Sequence, residues 1–312
     1  MPDRVRITDV APRDGLQNEP GVITTADKAR LVEMIARTGV DEIEVSSFVS
    51  PRWIPQLGDA ADLFARLADV KPQHVSFSAL VPNEQGLSAA LGVNGRAGFR
   101  LIDKVSVFTA ASETFSRRNT NATIAETLAR FVPVAREAHR ADMAVRAYIS
   151  CVVACPFEGP IAPARVAEVA IRLLDLDGVA ELDLGDTIGA ATPDSIAAMI
   201  DAVRTTLDAH GSDATITVHL HDTFGRASAC VDKALSLGVR SFDGSIAGLG
   251  GCPYASTNDR RAPGNIATDT LVRTIERAGY ETGVDHDQLT EAAAFARSIV
   301  DGSRDREPEA DA

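Results

Sequence analysis

Short apolar runs alternate along the chain with longer stretches whose apolar positions recur at helical spacing. Residues 5–10, VRITDV, have strand character. The stretch TTADKARLVEMIARTGV that follows has a threonine cap, apolar residues three and four apart, and a glycine stop at Gly39, so it predicts a helix. The pairing then repeats. Strands are expected at 41–47, 74–80, 101–108, 143–152, 180–186, 215–221 and 241–248. Helices are expected near 58–69, 84–93, 120–141, 163–175, 193–209 and 225–237, with two more near 268–279 and 287–300. Strands alternating with helices imply parallel pairing through right-handed crossovers. Eight such units within 312 residues predict an α/β fold, a TIM (β/α)8 barrel with an extra C-terminal helix. A doubly wound open sheet is the alternative.

No composition break interrupts residues 1–300, which read as one domain. Residues 301–312, DGSRDREPEADA, are acidic, lack large apolar side chains and read as a disordered tail. Hydrophobic residues make up 45% of the chain, enough for a sizeable core. No apolar run reaches the ~18 residues that a membrane span needs. The N-terminus lacks a positive segment followed by an apolar one, as a secretory signal would have, so a cytoplasmic protein is expected. Cys151, Cys155, Cys230 and Cys252 match no zinc knuckle or CxxC pair and fit a reducing compartment. The net charge of −13 argues against a nucleic-acid partner. An anionic substrate would need local cations against that background, which draws attention to the arginines.

In a barrel of this kind the chemistry sits at the C-terminal ends of the strands. Arg13, Asp14 and Gln17 follow the first strand, and Ser47 ends the second, with Glu44 inside it. Asp186 and Thr187 follow the sixth, His219, His221 and Asp222 the seventh, and a glycine-rich loop with Cys252 and Asn265 the eighth. Closure of the barrel makes strands one, seven and eight neighbours, so Asp14, His219, His221 and Asn265 can converge. One carboxylate, two imidazoles and an amide oxygen suit an octahedral Mg2+ or Mn2+. Each member also has a plain structural reading. His-x-His can simply pack, Asp14 and Asp222 can form turns or caps, Asn265 can cap the last helix, Asp186 can bond its own loop, and a lone Cys252 can be a small buried hydrophobe. Arg13 reads either as half of a surface ion pair or as a fixed cation that stabilises an oxyanion or carboxylate. Glu44 could orient it, although Glu42 shares the same strand face and the sequence does not say which points inward.

The stretches PRDGLQNE, SSFVSPRWIPQLGD, CPFEGPI, LGDTIG, HLHDTFG, GLGGCPYA and GNIATDTL occur in order across about residues 5–280. Together they resemble the hydroxymethylglutaryl-CoA lyase family, within the metal-dependent TIM-barrel lyase and Claisen-condensing superfamily. GLGGCPYA carries most of the specificity, because it marks the lyase branch by its loop thiol. The resemblance implies that Asp14, His219, His221 and Asn265 bind Mg2+ or Mn2+, that Arg13 stabilises an enolate, and that Cys252 belongs to a mobile loop. Glu44, Gln17, Ser47 and Thr187 would form a polar shell. It further implies retro-Claisen cleavage of 3-hydroxy-3-methylglutaryl-CoA to acetyl-CoA and acetoacetate, a place in leucine breakdown, and a homodimer or larger homo-oligomer. His219 and Cys252 are the candidates for proton transfer, and Arg13→Gln and Cys252→Ala are expected to lose most turnover with little loss of fold.

The segment STNDRRAP, 256–263, is longer and more charged than the family pattern leads one to expect. Its Arg260 and Arg261 read as solvated, or as contacts to the anionic CoA or to another subunit. Three other functions stay open at this point. One is a lyase for a related branched 3-hydroxyacyl-CoA. Another is a Claisen synthase or 2-keto acid aldolase of the same superfamily. The third is a silent barrel that binds metal or acyl-CoA without chemistry.

Overall fold

Eight parallel strands close into a ring in the computed structural model, which describes residues 3–251 and 264–303. They are β1 (Arg6–Asp9), β2 (Glu42–Ser47), β3 (Ser76–Leu80), β4 (Lys104–Ala110), β5 (Ala144–Ser150), β6 (Val179–Asp186), β7 (Thr215–Leu220) and β8 (Ser241–Gly244). β8 pairs with β1 in the register Arg6↔Ser241 to Asp9↔Gly244, which completes the barrel. The barrel expectation holds and the open sheet is excluded.

Each strand is followed by a helix whose ends are set by local chemistry. α1 (Thr25–Arg37) starts where the Thr24 hydroxyl accepts from the Asp27 N–H. It stops at Gly39, whose φ of +88° suits glycine. A Cβ there would sit 2.4 Å from the Gly283 carbonyl oxygen. α2 (Ala60–Leu67) and α3 (Glu84–Ala97) follow β2 and β3. The helix expected over 120–141 is two. α4 (Glu113–Thr120) ends at Asn121, which is left-handed at φ 51°, and α5 (Ile124–Arg140) restarts behind a capping box of Thr123 and Glu126. The capping signal outcompetes helical continuity there. α6 (Pro163–Leu174), α7 (Pro193–His210), α8 (Ala227–Ser236) and α9 (Thr268–Arg277) complete the outer ring. α10 (His286–Ser303) runs three residues beyond the expected end at 300, and Ser303 is buried. The tail expected from 301 therefore starts inside a helix, and its residues 304–312 lie outside the described residues. A small antiparallel hairpin, Ala154–Cys155 with Gly159–Pro160, was not expected.

The strands alternate. Ile43, Val45, Val105, Val107, Val145, Ala147, Leu182, Leu184 and Val218 belong to the apolar core with the helices. The residues between them form a polar interior, equally buried: Glu42, Glu44, Lys104, Arg146, Glu181, Asp183, His219 and Asp243. Arg146 on β5 bonds Thr8 on β1 and Asp243 on β8, strands that are not its neighbours, so those bonds cross the barrel lumen. Branched aliphatic side chains usually fill this space. Here Arg146 donates to Glu181, and Lys104 joins Glu181 to Glu42. Both Glu42 and Glu44 point inward, at successive levels. No helix among the described residues is long and apolar enough to cross a membrane.

Candidate active site

After β1 the chain makes a wide turn, Ala11–Gly15, with Pro12 at its start and the Asp14 N–H bonded back to the Val10 carbonyl. The turn puts two charged side chains at the barrel mouth. Arg13 donates from Nε to Glu44 Oε2 and from Nη1 to Asp14 Oδ1 (2.7 Å), and its guanidinium lies 5.5 Å from the Tyr148 ring centroid. It is only 7% exposed, so the surface ion-pair reading fails. Glu44 is its orienting partner.

His219 lies on β7 and His221 just beyond it, with ring centroids 5.3 Å apart. Asp14, His219 and His221 each bring one ligand atom within 4.8 Å of the other two. Asn265 arrives from the far side of the glycine-rich loop, where it bridges His221. Its Nδ2 donates to Asp14 Oδ2 (2.8 Å) and to the Leu249 carbonyl (3.0 Å). Gly250, at φ +84°, makes this approach possible, since a Cβ there would meet Asn265 Nδ2 at 2.8 Å. Asn265 is thus not the cap of α9; Ala267 holds that position.

The donor set fits a divalent cation. Among the described residues, Asn265 Oδ1 and His221 Nδ1 are buried with no hydrogen-bond partner, which is costly unless something else accepts their lone pairs. Burial would raise the Asp14 pKa, but Arg13 and the two histidines bring it down to about 2. Burial and the neighbouring His219 push His221 down to about 4. Near neutral pH the aspartate is therefore ionised and the His221 imidazole neutral, the forms that bind metal. Burial works against the Arg13 charge, yet Glu44 and Asp14 more than restore it, so Arg13 is a permanent cation.

Arg13, Asp14, His219 and His221 line one cavity of about 350 Å³. Gln17, Ser47, Thr187 and Tyr148 share its wall, and Trp53, Ile54 and Phe115 give it an apolar side. Of the expected polar shell, Gln17, Ser47 and Thr187 face the cavity, while Glu44 lies behind Arg13. The two hydroxyls are partly committed to backbone. Ser47 Oγ accepts from the Val49 N–H, and Thr187 Oγ1 accepts from the Cys151 N–H. Asp186 and Asp222 take their plain roles. Asp186 accepts from the Ala190 and Ala191 N–H groups, with burial raising its pKa to about 6, and Asp222 accepts from the Ala227 N–H. Cys252, with Arg260 and Arg261, lies outside the described residues.

Sequence reasoning missed the layer beneath the site. His219 Nδ1 lies 3.2 Å from Asp243 Oδ2, and Arg146 Nη1 donates to Asp243 Oδ1 at 3.1 Å. Against the effect of burial, Arg146 and His219 hold the Asp243 pKa below the usual range. Burial and the Asp243 charge push Asp183 well above it. The available signal was a charged residue at every second position of otherwise apolar strands, as in DEIEVSS and AELDLGD.

Residues 4–296 match the HMGL-like family. The chain belongs to the HMGL-like family. Among its relatives, the hydroxymethylglutaryl-CoA lyase of Pseudomonas mevalonii is 47% identical over 281 residues, 90% of this chain and 87% of the relative. The human mitochondrial hydroxymethylglutaryl-CoA lyase is 41% identical over 295 residues, 95% of this chain and 85% of the relative. Solved structures also superpose over nearly the whole length. The HMG-CoA lyase from Brucella melitensis gives a TM-score of 0.87 at 42% identity, covering 96% of this chain and 99% of that one. An HMG-CoA lyase from Acinetobacter baumannii, in complex with coenzyme A and 3-methylmalate, gives 0.84 at 28% identity, covering 99% and 98%.

Proposed function

We propose that this chain is a divalent-metal-dependent lyase that cleaves 3-hydroxy-3-methylglutaryl-CoA to acetyl-CoA and acetoacetate. The observation that carries the reading is the convergence of Asp14, His219 and His221 beside the buried cation of Arg13, in one cavity of a chain 47% identical to a hydroxymethylglutaryl-CoA lyase. Asp14, His219, His221 and Asn265 would hold Mg2+ or Mn2+. A bound ion of this kind polarises a coordinated hydroxyl and lowers its pKa.

The chain's own residues account for the remaining work. The reaction breaks the bond between C2 and C3 of the acyl group. The C3 hydroxyl loses its proton and becomes the ketone of acetoacetate, and the bonding pair moves into the thioester. Arg13, held by Glu44 and Asp14, presents a fixed positive charge to the thioester oxygen as it gains negative charge. His219 is the proposed carrier of the hydroxyl proton, and Cys252 the proposed group for proton transfer at C2. Gln17, Ser47 and Thr187 would position the polar acyl end.

The test is direct. Purified protein with substrate and Mg2+ or Mn2+ should release acetyl-CoA and acetoacetate, and a chelator should stop it. Absence of product under every metal condition would point to a binding protein instead. Parallel assays with 3-hydroxyacyl-CoAs altered at C3 rank the acyl group accepted. We further infer a cytoplasmic homodimer or larger homo-oligomer serving leucine breakdown. A monomeric mass in light scattering at working concentration would remove the oligomer.

A further inference from the structure

His219 has a partner that no motif signalled. Asp243 sits directly opposite it across the β7–β8 pair, and its carboxylate is almost wholly enclosed. Oδ2 lies 3.2 Å from His219 Nδ1. Oδ1 accepts from Arg146 Nη1 at 3.1 Å, and the Tyr148 hydroxyl lies 3.5 Å from Oδ2. Arg146 is itself clamped by Glu181 and Thr8. The carboxylate therefore has little freedom to swing. It accepts hydrogen bonds, so the contact places the hydrogen of a neutral imidazole on Nδ1 and the lone pair on Nε2. His221 differs, since its Nδ1 is buried with no hydrogen-bond partner among the described residues.

We infer that Asp243 is a positioning residue: seated on Arg146, it fixes the ring orientation and tautomer of His219 so that Nε2 is the nitrogen offered to the cation. The inference rests on the metal-site reading above. A carboxylate behind a ligating histidine raises its basicity and orients it, and removing one typically weakens metal binding by roughly 10–100-fold. Asp183 provides the comparison. It occupies the same enclosed cluster, approaches Arg146 Nη1 at 3.4 Å and shares a hydrogen bond with Asp243. Asp183→Asn keeps a donor toward Asp243 in nearly the same shape, so the Asp243–His219 contact should persist.

Calorimetric titration of the full-length protein with Mg2+ and with Mn2+ reads the effect. Asp243→Asn should raise the Kd by roughly 10–100-fold, and Asp183→Asn should leave it close to the wild-type value. An Asp243→Asn variant that binds like wild type overturns the inference, as does an equal loss in Asp183→Asn. Wild-type protein that binds neither ion overturns the metal-site reading and the inference together. A measurement on the unmutated protein covers the case in which Asp243→Asn fails to fold. Nitrogen-15 NMR of labelled histidine, with His219 assigned by comparison with His219→Gln, should show hydrogen on Nδ1 in the metal-free protein. Hydrogen on Nε2 of His219 would sink the proposal.

Discussion

Arg13 shows how much one side chain depends on its seat. Its sequence position suggested that Arg13→Gln would lose turnover with little loss of fold. The structure changes the second half of that expectation, because Glu44 is fully buried behind it and shares its charge. Removing the cation leaves a buried carboxylate uncompensated, which typically costs about 3–5 kcal/mol. We expect Arg13→Gln to cut turnover at least ~10²-fold and to lower the denaturant midpoint measurably. A variant with wild-type turnover at saturating metal would remove Arg13 from the mechanism. His221 gives a pH-dependent case. Its folded-state pKa is about 4 against an ordinary 6.5. The unfolded chain therefore takes up a proton below pH 6.5 that the folded site refuses until about pH 4, so stability is lost as pH falls through that window. His221→Gln lacks this loss. Its metal-free stability relative to wild type should improve by roughly 2–3 kcal/mol between pH 7 and 4.5, as read by urea titrations at the two values.

At the scale of elements, the loops after the strands carry the site and the glycines of one loop give it shape. Gly248 and Gly250 both have positive φ. Gly250 also leaves room for Asn265 to reach Asp14. Gly250→Ala adds backbone strain of order 1–3 kcal/mol and a methyl against the Asn265 amide. Mn2+ affinity should fall by about tenfold or more, with a smaller loss of thermal stability; unchanged affinity would mean that Asn265 is not held through this loop. The cap of α5 is separate from the site. Thr123→Ala breaks the capping box with Glu126, which should cost about 1 kcal/mol in chemical denaturation while metal affinity stays the same.

If the proposed site holds its ion, the whole barrel couples metal binding to stability, because the candidate ligands come from the turn after β1, the end of β7 and the segment after β8. These come together only when the ring is closed, and the unfolded chain has no such site. An ion at 100 times its Kd should stabilise the fold by about 2.7 kcal/mol. Melting curves with and without Mn2+ should differ accordingly, and a chelator should abolish the difference. A melting point indifferent to Mg2+ and Mn2+ would argue against the four-ligand centre.

The local code sufficed for the order of the elements. Gly39, the Thr24 cap and the period-two strands fix where α1 and its neighbours begin and end, because caps, turns and side-chain alternation act over a few residues. Eight repeats of that local pattern favour a barrel over an open sheet, and the position of polar residues after the strands marks its active end. The sequence could thus place Asp14, His219, His221 and Asn265 at one rim. Three things needed the folded molecule. One was the break at Asn121, where a capping box competes with a continuing helix. Another was the inward direction of both Glu42 and Glu44. The last was the enclosed Arg146–Asp243 support behind His219. That support joins residues 97 apart in the chain across the barrel lumen. Burial decides which charges must find partners there, and only closure of the ring decides which partners lie within reach.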